Sequence, residues 1–338
     1  MTTARTRPPG MVDVAALAGV SYQTVSRVVN GHPSVAIDTR QRVEAAIKQL
    51  NFRPNGAARA LVTGRGTTIC VFASSTTLYG YAGTLEGIEQ AARLSGLTTM
   101  ITVLDLNTPD EVAHAVRQVL TQPLAGVIVL THDEIGNLAL NLVPPSMFSV
   151  GVGGSGSATH PHAVLDERSG AAAATNHLLE LGHRTVHHVA IPSETGVSQR
   201  AVGWSEALRA VGAEVPEALN ASWLPRAGYD AGLQLGERGD VTTMLAGNDD
   251  LAVGVVRGIF DSGRRVPEDV SVIGFDDQPF TEFLRPALTT VRQSFPELGR
   301  TAVAMLREQF DLEVGSRQRV LLATELIVRE STAPPPST

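Results

Sequence analysis

Apolar positions recur at helical spacing through the first fifty residues and change to short, dense apolar runs from Thr67 onward. Val14, Leu17 and Ala18 predict a first helix over residues 11–18. Gly19 supplies a turn, and Ser21 is an N-cap for a second helix over 22–30, which Gly31-His32-Pro33 breaks. Val25, Val28 and Val29 lie on one side of that helix. A third helix is expected from Asp38 or Thr39 to Leu50, with Val43, Ile47 and Leu50 inward. Pro54 marks a boundary. Residues 55–63 read as one more short helix, weakened by Gly56 at a cost of about 1 kcal/mol relative to Ala.

Beyond residue 67, runs at 69–72, 100–103, 127–130 and 147–150 read as buried strands, separated by helical stretches at about 81–95, 109–121 and 133–141. A second series follows. Its strands are 186–191, Trp223 with its neighbours, 243–246, 270–275, one near Thr290 and one over 321–328; its helices are about 168–181, 199–210, 227–236, 249–261 and 296–309. Alternating strands and helices predict parallel sheets covered on both faces, here as two lobes with a cleft between them. The expected organisation is residues 1–54 as a helical head, 55–66 as a linker helix, 67–332 as the bilobal body and 333–338 as a disordered, Pro-rich tail.

Charge sharpens the division. The chain of 338 residues has a net charge of -7, yet residues 1–65 hold nine Arg or Lys against three acids, about +6, which leaves the body near -13. A basic head on an acidic body is the footprint of a nucleic-acid module joined to a different function. The single cysteine, Cys70, excludes an intrachain disulfide and fits a reducing, cytoplasmic setting. No apolar run approaches the roughly 18 residues that span a membrane, and no signal peptide is read at the start.

The second helix carries chemistry. Tyr22, Gln23, Ser26 and Arg27 lie opposite its valines, and Gln23 and Arg27 project together at four-residue spacing. In the major groove Gln pairs bidentately with adenine and Arg with guanine. Ser21, Thr24 and Asn30 are short polar groups suited to phosphates. The same face also fits a merely solvated side of a small helical bundle.

Residues 12–30 (VDVAALAGVSYQTVSRVVN) and 39–55 (TRQRVEAAIKQLNFRPN) resemble the head of the lactose-repressor (LacI/GalR) family of bacterial regulators, and the segments 247–254, 267–277 and 288–293 follow that family in order. In the reading helix, Tyr22, Gln23 and Arg27 are those of the family's name-giving member. The resemblance implies an all-α helix-turn-helix head plus an α/β bilobal, periplasmic-binding-protein-like body of two parallel-sheet, Rossmann-like lobes. It implies a repressor that binds a pseudo-palindromic operator in double-stranded DNA as a homodimer. Asn55 lies in the link to the hinge, and Leu61 would wedge into the minor groove, where unstacking is offset by a bent duplex with more contacts. Gly56, rare there in the family, implies a softer hinge. The family's name-giving member ends in a leucine-rich tetramerising helix where this chain has a Pro-rich tail, so a dimer is expected.

For the body the resemblance implies a small-molecule effector, most simply a galactoside or glucoside. Arg200, Asn248 and Asp276 match hydroxyl-binding groups, Trp223 matches an aromatic that stacks on a sugar face, and Gln293 and Phe295 sit on a segment crossing between lobes. Hydroxyls donate and accept, which suits paired Arg, Asn and Asp groups. Ordinary core packing for Trp223 and a strand-end turn or helix cap for Asp276-Asp277 remain open alternatives. Leu130 and Val150 or Gly151 replace polar groups of the family pattern, with Tyr79, Thr131 or His132 as substitutes. A non-sugar metabolite such as a purine, or a corepressor mode, stays open. A transport protein would lack the head, and no catalytic constellation supports an enzyme. Gly151-Val-Gly-Gly-Ser-Gly156 imitates a dinucleotide fingerprint but leads to a strand instead of a helix. His160, His162, His187 and His188 lack the carboxylates or cysteines of a metal site, so no metal or cofactor is expected.

Overall fold

A computed structural model describes residues 9–29, 32, 34–52, 66–104, 108–154, 156, 159–193, 198–311 and 318–336. It divides into two compact units, Met1–Thr67 and Thr68–Thr338.

In the first unit, α1 (Met11–Ala18), α2 (Tyr22–Val29) and α3 (Ile37–Gln49) surround Val14, Ala15, Ala18, Val25, Val28, Val43, Ala46 and Phe52. Asp13 reaches back to the Gly10 N–H (2.6 Å), and α1 ends on Gly19 in the left-handed region (φ 64°), where glycine carries no Cβ penalty. Ser21 Oγ accepts from the Thr24 N–H (3.2 Å) and caps α2. Two expectations shift. Leu17 is 44% exposed, because Ala15 takes the inward position beside Val14. The third helix starts at Ile37 on an Ala36 cap that offers no side-chain acceptor.

The second unit holds two six-stranded sheets. The first contains β1 (Thr68–Ala73), β2 (Thr98–Val103), β3 (Leu124–Leu130), β4 (Ser149–Val152), β5 (His162–Leu165) and β11 (Arg319–Leu322) in the order β11-β5-β4-β3-β1-β2. The second contains β6 (His187–Ala190), β7 (Leu219–Asn220), β8 (Thr243–Ala246), β9 (Ser271–Asp276), β10 (Thr289–Arg292) and β12 (Glu325–Ile327) in the order β12-β10-β9-β8-β6-β7. Every pairing is parallel except β10 with β12. The helices are α4 (Tyr79–Leu94), α5 (Pro109–Leu120), α6 (Glu134–Asn141), α7 (Glu167–Glu180), α8 (Gln199–Ala210), α9 (Pro225–Gly236), α10 (Asp249–Asp261) and α11 (Phe295–Asp311). They lie on both faces, so four apolar clusters flank the two sheets.

The chain passes between the lobes three times: at Asp166, at Gln293-Ser294 and at Ala323-Thr324. The late apolar run at 321–328 is therefore two strands, one per lobe. The strand expected at 147–150 lies two residues later, at Ser149–Val152. Trp223 lies between β7 and α9 rather than on a strand. The glycine-rich stretch after β4 leads to β5, and Gly153 (φ 85°) gives the room taken by the His132 ring. The segment expected as a disordered tail begins with a held residue: Ala333 donates to Ser271 Oγ (3.0 Å), and its carbonyl accepts from Ser271 Oγ (2.9 Å) and His183 Nε2 (2.8 Å). No helix among the described residues is long and apolar enough to cross a membrane.

Helices α9 and α10 approach backbone to backbone at their glycines, since a Cβ on Gly254 would run into the Pro225 carbonyl. This close approach brings the N-terminus of α10 and the Trp223 segment to the same place.

Candidate effector site and reading helix

Between the lobes of the second unit lies a pocket with about 760 Å³ of space free of atoms, part of it open to solvent. Its wall brings together Tyr79, Arg200, Trp223, Asn248, Asp276 and Phe295, and adds Tyr81, His132, Glu167 and Asp250. Gln293 stands behind this wall.

Arg200, on α8, is 4% exposed and committed on several sides. Its Nη1 donates to the Gly247 carbonyl, and Nη2 donates to Glu167 Oε1 (2.7 Å) and lies 3.6 Å from Asp276 Oδ1. The guanidinium also rests 4.3 Å above the Phe275 ring centroid. Burial alone would make it easier to deprotonate, but the charges of Glu167 and Asp276 outweigh that and raise its pKa. Among the described residues its Nε has no partner, nor does the buried Gln293 Oε1. Ser193 Oγ, also in the pocket lining, is likewise buried without a partner among the described residues, and a buried polar group left unsatisfied is costly.

Asp276 ends β9 in an unusual backbone conformation (φ 112°), and Asp277 follows in the left-handed region (φ 55°). Such residues cost on the order of 1–3 kcal/mol each and persist where the surroundings hold them. Here Asp277 is gripped by Arg329 and Arg292, each at 2.7 Å. Asp276 Oδ1 accepts from Gln293 Nε2 (2.7 Å), which ties the crossing segment to the second lobe. The distortion turns the Asp276 carboxyl into the pocket. The open alternative of a plain strand-end turn therefore describes Asp277 better than Asp276.

Asn248 caps α10, its Oδ1 accepting from the Leu251 N–H (2.7 Å), while Nδ2 donates to the Trp223 carbonyl (3.2 Å). One side chain thus fixes both the helix start and the indole-bearing loop. Asn248→Ala is expected to cost about 0.5–2 kcal/mol through the lost cap, seen as a lower midpoint of thermal unfolding; an unchanged midpoint would mean that the cap carries no stability. Trp223 is half-buried and touches the second-lobe core as well as the pocket, so packing and lining coexist.

Asp249 is fully buried, accepting from Thr290 Oγ1 (2.6 Å) and the Gln278 N–H (2.7 Å). Burial, then the charge of Asp276, pushes its pKa well above the usual carboxylate range. Burial likewise pushes Asp276 up to about 7, with Glu167 and Asp250 adding to it against the pull of Arg200 and Gln293. The folded protein therefore holds this proton where the unfolded chain has released it. Its contribution to stability is full below the ordinary Asp value of about 4 and is lost as pH rises through about 7. Between pH 5 and pH 8 the wild type is expected to lose more thermal stability than Asp276→Asn. Parallel losses would contradict this assignment.

The first-lobe wall differs from the expectation. Leu130 and Val150 are fully buried in that lobe's core and do not face the pocket. Thr131 is also buried, its hydroxyl donating to the Val152 (3.2 Å) and Gly153 (3.0 Å) carbonyls, so it does not substitute for the missing polar groups. Tyr79 and His132 do line the pocket. Tyr79 meets Phe295 edge-on at 5.7 Å, and His132 meets Tyr81 at 4.9 Å. The Tyr81 hydroxyl donates to Asp133 Oδ2 (2.9 Å) and contacts Ser74 Oγ (2.8 Å), which itself donates to Asp133. The pocket is thus aromatic toward the first lobe and ionic toward the second.

In the first unit, Ser21, Tyr22, Gln23 and Arg27 are exposed, and Thr24 and Ser26 are half-buried, while Val25 and Val28 are buried beneath them. The helix accordingly presents one continuous polar face. Asn30, Asn55 and Leu61 lie outside the described residues. Among the described residues no group of three or more His, Cys, Asp or Glu is placed to hold a metal ion.

Residues 10–55 match the family described as bacterial regulatory proteins, lacI family, and residues 175–332 match the periplasmic binding protein-like domain. The chain is 31% identical to the lactose operon repressor of Escherichia coli (strain K12), over 97% of this chain and 92% of that protein. It is 33% identical to the HTH-type transcriptional regulator CelR of Thermobifida fusca, over 97% and 99%. It is 31% identical to the HTH-type transcriptional repressor PurR of Haemophilus influenzae (strain PittEE), over 94% and 97%. A lac repressor dimer solved with operator and the anti-inducer ONPF superposes with a TM-score of 0.86 at 30% identity, covering 97% of this chain and all of that one. A CelR–cellobiose complex superposes at 0.70 with 32% identity, covering 96% and 99%.

Proposed function

The chain belongs to the lacI family of bacterial regulatory proteins, a DNA-binding transcriptional repressor with a ligand-binding domain, and from that premise we propose that it is released from its operator by a saccharide. In this reading residues 1–54 read DNA, 55–66 link, and 67–332 bind the effector and dimerise. Tyr22, Gln23 and Arg27 face the major groove of lactose-operator-like half-sites, with Ser21, Thr24, Ser26 and Asn30 on phosphates and Asn55 and Leu61 toward the operator centre. A dimer then spans a pseudo-palindrome.

The observation that carries the effector reading is the pocket's pairing of hydroxyl-binding groups with aromatic rings. Arg200, Asn248 and Asp276 line the pocket together with Trp223, and Arg200 keeps one N–H without a partner among the described residues. A pyranose offers both a ring of hydroxyls and an apolar C–H face. Of the solved relatives, one is in complex with cellobiose, a saccharide, and another with the anti-inducer ONPF. The PurR relatives favour a second reading, a purine, whose flat ring suits the same aromatic walls. Calorimetry of the full chain with galactosides, glucosides and purines separates them. Saturable binding of a sugar is expected; binding of a purine alone would overturn the saccharide reading.

A further inference from the structure

We propose that the pocket sorts saccharides by charge, admitting an uncharged or amine-bearing sugar and rejecting one that carries a phosphate or carboxylate, with Asp250 as the specificity-determining residue. This rests on the saccharide reading of the same site.

Three carboxylates, Glu167, Asp250 and Asp276, line the pocket against one guanidinium, Arg200. That guanidinium cannot act as an anion clamp. A bidentate fork needs two parallel N–H groups, and both terminal nitrogens are already engaged by the Gly247 carbonyl and by Glu167, with Asp276 beside them. Nε, which has no partner among the described residues, offers one N–H, enough for a hydroxyl oxygen but not for a two-point grip on an anion.

Helix N-termini are the other usual resource for anions. The N-terminus of α10 reaches the pocket through Asn248 and Asp250 but is already met by acids, with Asp249 and Asp250 in its first turn. Glu167 does the same for α7. The N-termini of α4 and α8 also face the pocket with no acid in their first turns. Each brings about half a positive charge. Together they offset one carboxylate and leave the lining acidic.

Asp250 is the group most free to decide the outcome. Glu167 and Asp276 are tied to Arg200, whereas Asp250 is half-buried and bound through one oxygen to the neutral amide of Gln278 (2.9 Å). Apart from the dipole of its own helix, no Lys or Arg among the described residues forms an ion pair with it, so it leaves a negative charge at the pocket wall. A ligand phosphate would meet it in a partly dry site where like charges repel strongly, while an ammonium would be drawn to it.

The test is calorimetry of the full chain at pH 7.5 and fixed ionic strength, using glucose, glucosamine and glucose 6-phosphate and the matching galactose set. The expected result is that the phosphate binds at least tenfold more weakly than its parent sugar, and the amine no more weakly than the parent. In Asp250→Asn the ratio of parent to phosphate affinity is expected to fall severalfold, with Glu167→Gln as a second variant should the first unfold. A phosphate that binds as tightly as its parent, or an unchanged ratio in a folded Asp250→Asn, would overturn the charge sorting alone. Purine binding with no sugar binding would remove the saccharide reading, and this inference with it.

Discussion

Arg200→Ala is expected to weaken effector binding at least 100-fold and to lower the stability of the second unit. Two contributions combine. The ligand loses the unpartnered Nε donor, and the carboxylates of Glu167 and Asp276 lose the cation that holds them. Breaking a buried pair by removing one partner costs about 3–5 kcal/mol, and a 100-fold change corresponds to about 2.8 kcal/mol. Arg200→Lys retains a charge but not the planar arrangement that reaches Gly247, Glu167 and Phe275 together, so it is expected to recover stability better than binding. Calorimetry and thermal unfolding of both variants check this. Wild-type affinity in a folded Arg200→Ala would remove Arg200 from the site.

Arg27→Ala is expected to lose about 1–3 kcal/mol of discrimination between a matched half-site and one altered at the contacted base, the usual worth of a bidentate base contact. Arg27 is exposed on α2 and buries nothing, so the head should keep its fold. It also lies in the compact unit that does not contain the pocket, so effector affinity should hold. Operator titrations on matched and altered duplexes, with calorimetry alongside, provide the check. An equal fall in affinity for every sequence would make Arg27 a phosphate contact instead.

Much of this architecture was legible in the chain because helix signals are local. The bounds of α8 and α10 follow from periodicity and from the Ser198 and Asn248 caps, and they place Arg200 and Asn248 at helix starts. Those two residues line one pocket with Trp223, Asp276, Tyr79 and Phe295. What periodicity leaves open is partnership across the sequence. The run at 321–328 reads as one strand, yet it serves both sheets because its two halves pair with β5 and β10. Leu130 was expected to face the cleft. It ends β3 on the core side, and one step along a strand reverses the face. The contacts of Ser74, Tyr81 and Asp133 join residues more than fifty positions apart, with no local pattern to announce them. Asp250 carries no sequence signal beyond an acid in a helix's first turn, and its place in the pocket lining emerges only from the packing of the lobes.

The most direct test of the account is an operator titration by fluorescence anisotropy, using the full chain and a lactose-operator-like duplex at fixed salt, with and without a saturating sugar that binds in calorimetry. The sugar is expected to raise the apparent Kd for operator at least tenfold, and Arg200→Ala is expected to stay bound to operator in its presence. An operator affinity that is unchanged or tightened while the sugar is bound would contradict release by a saccharide.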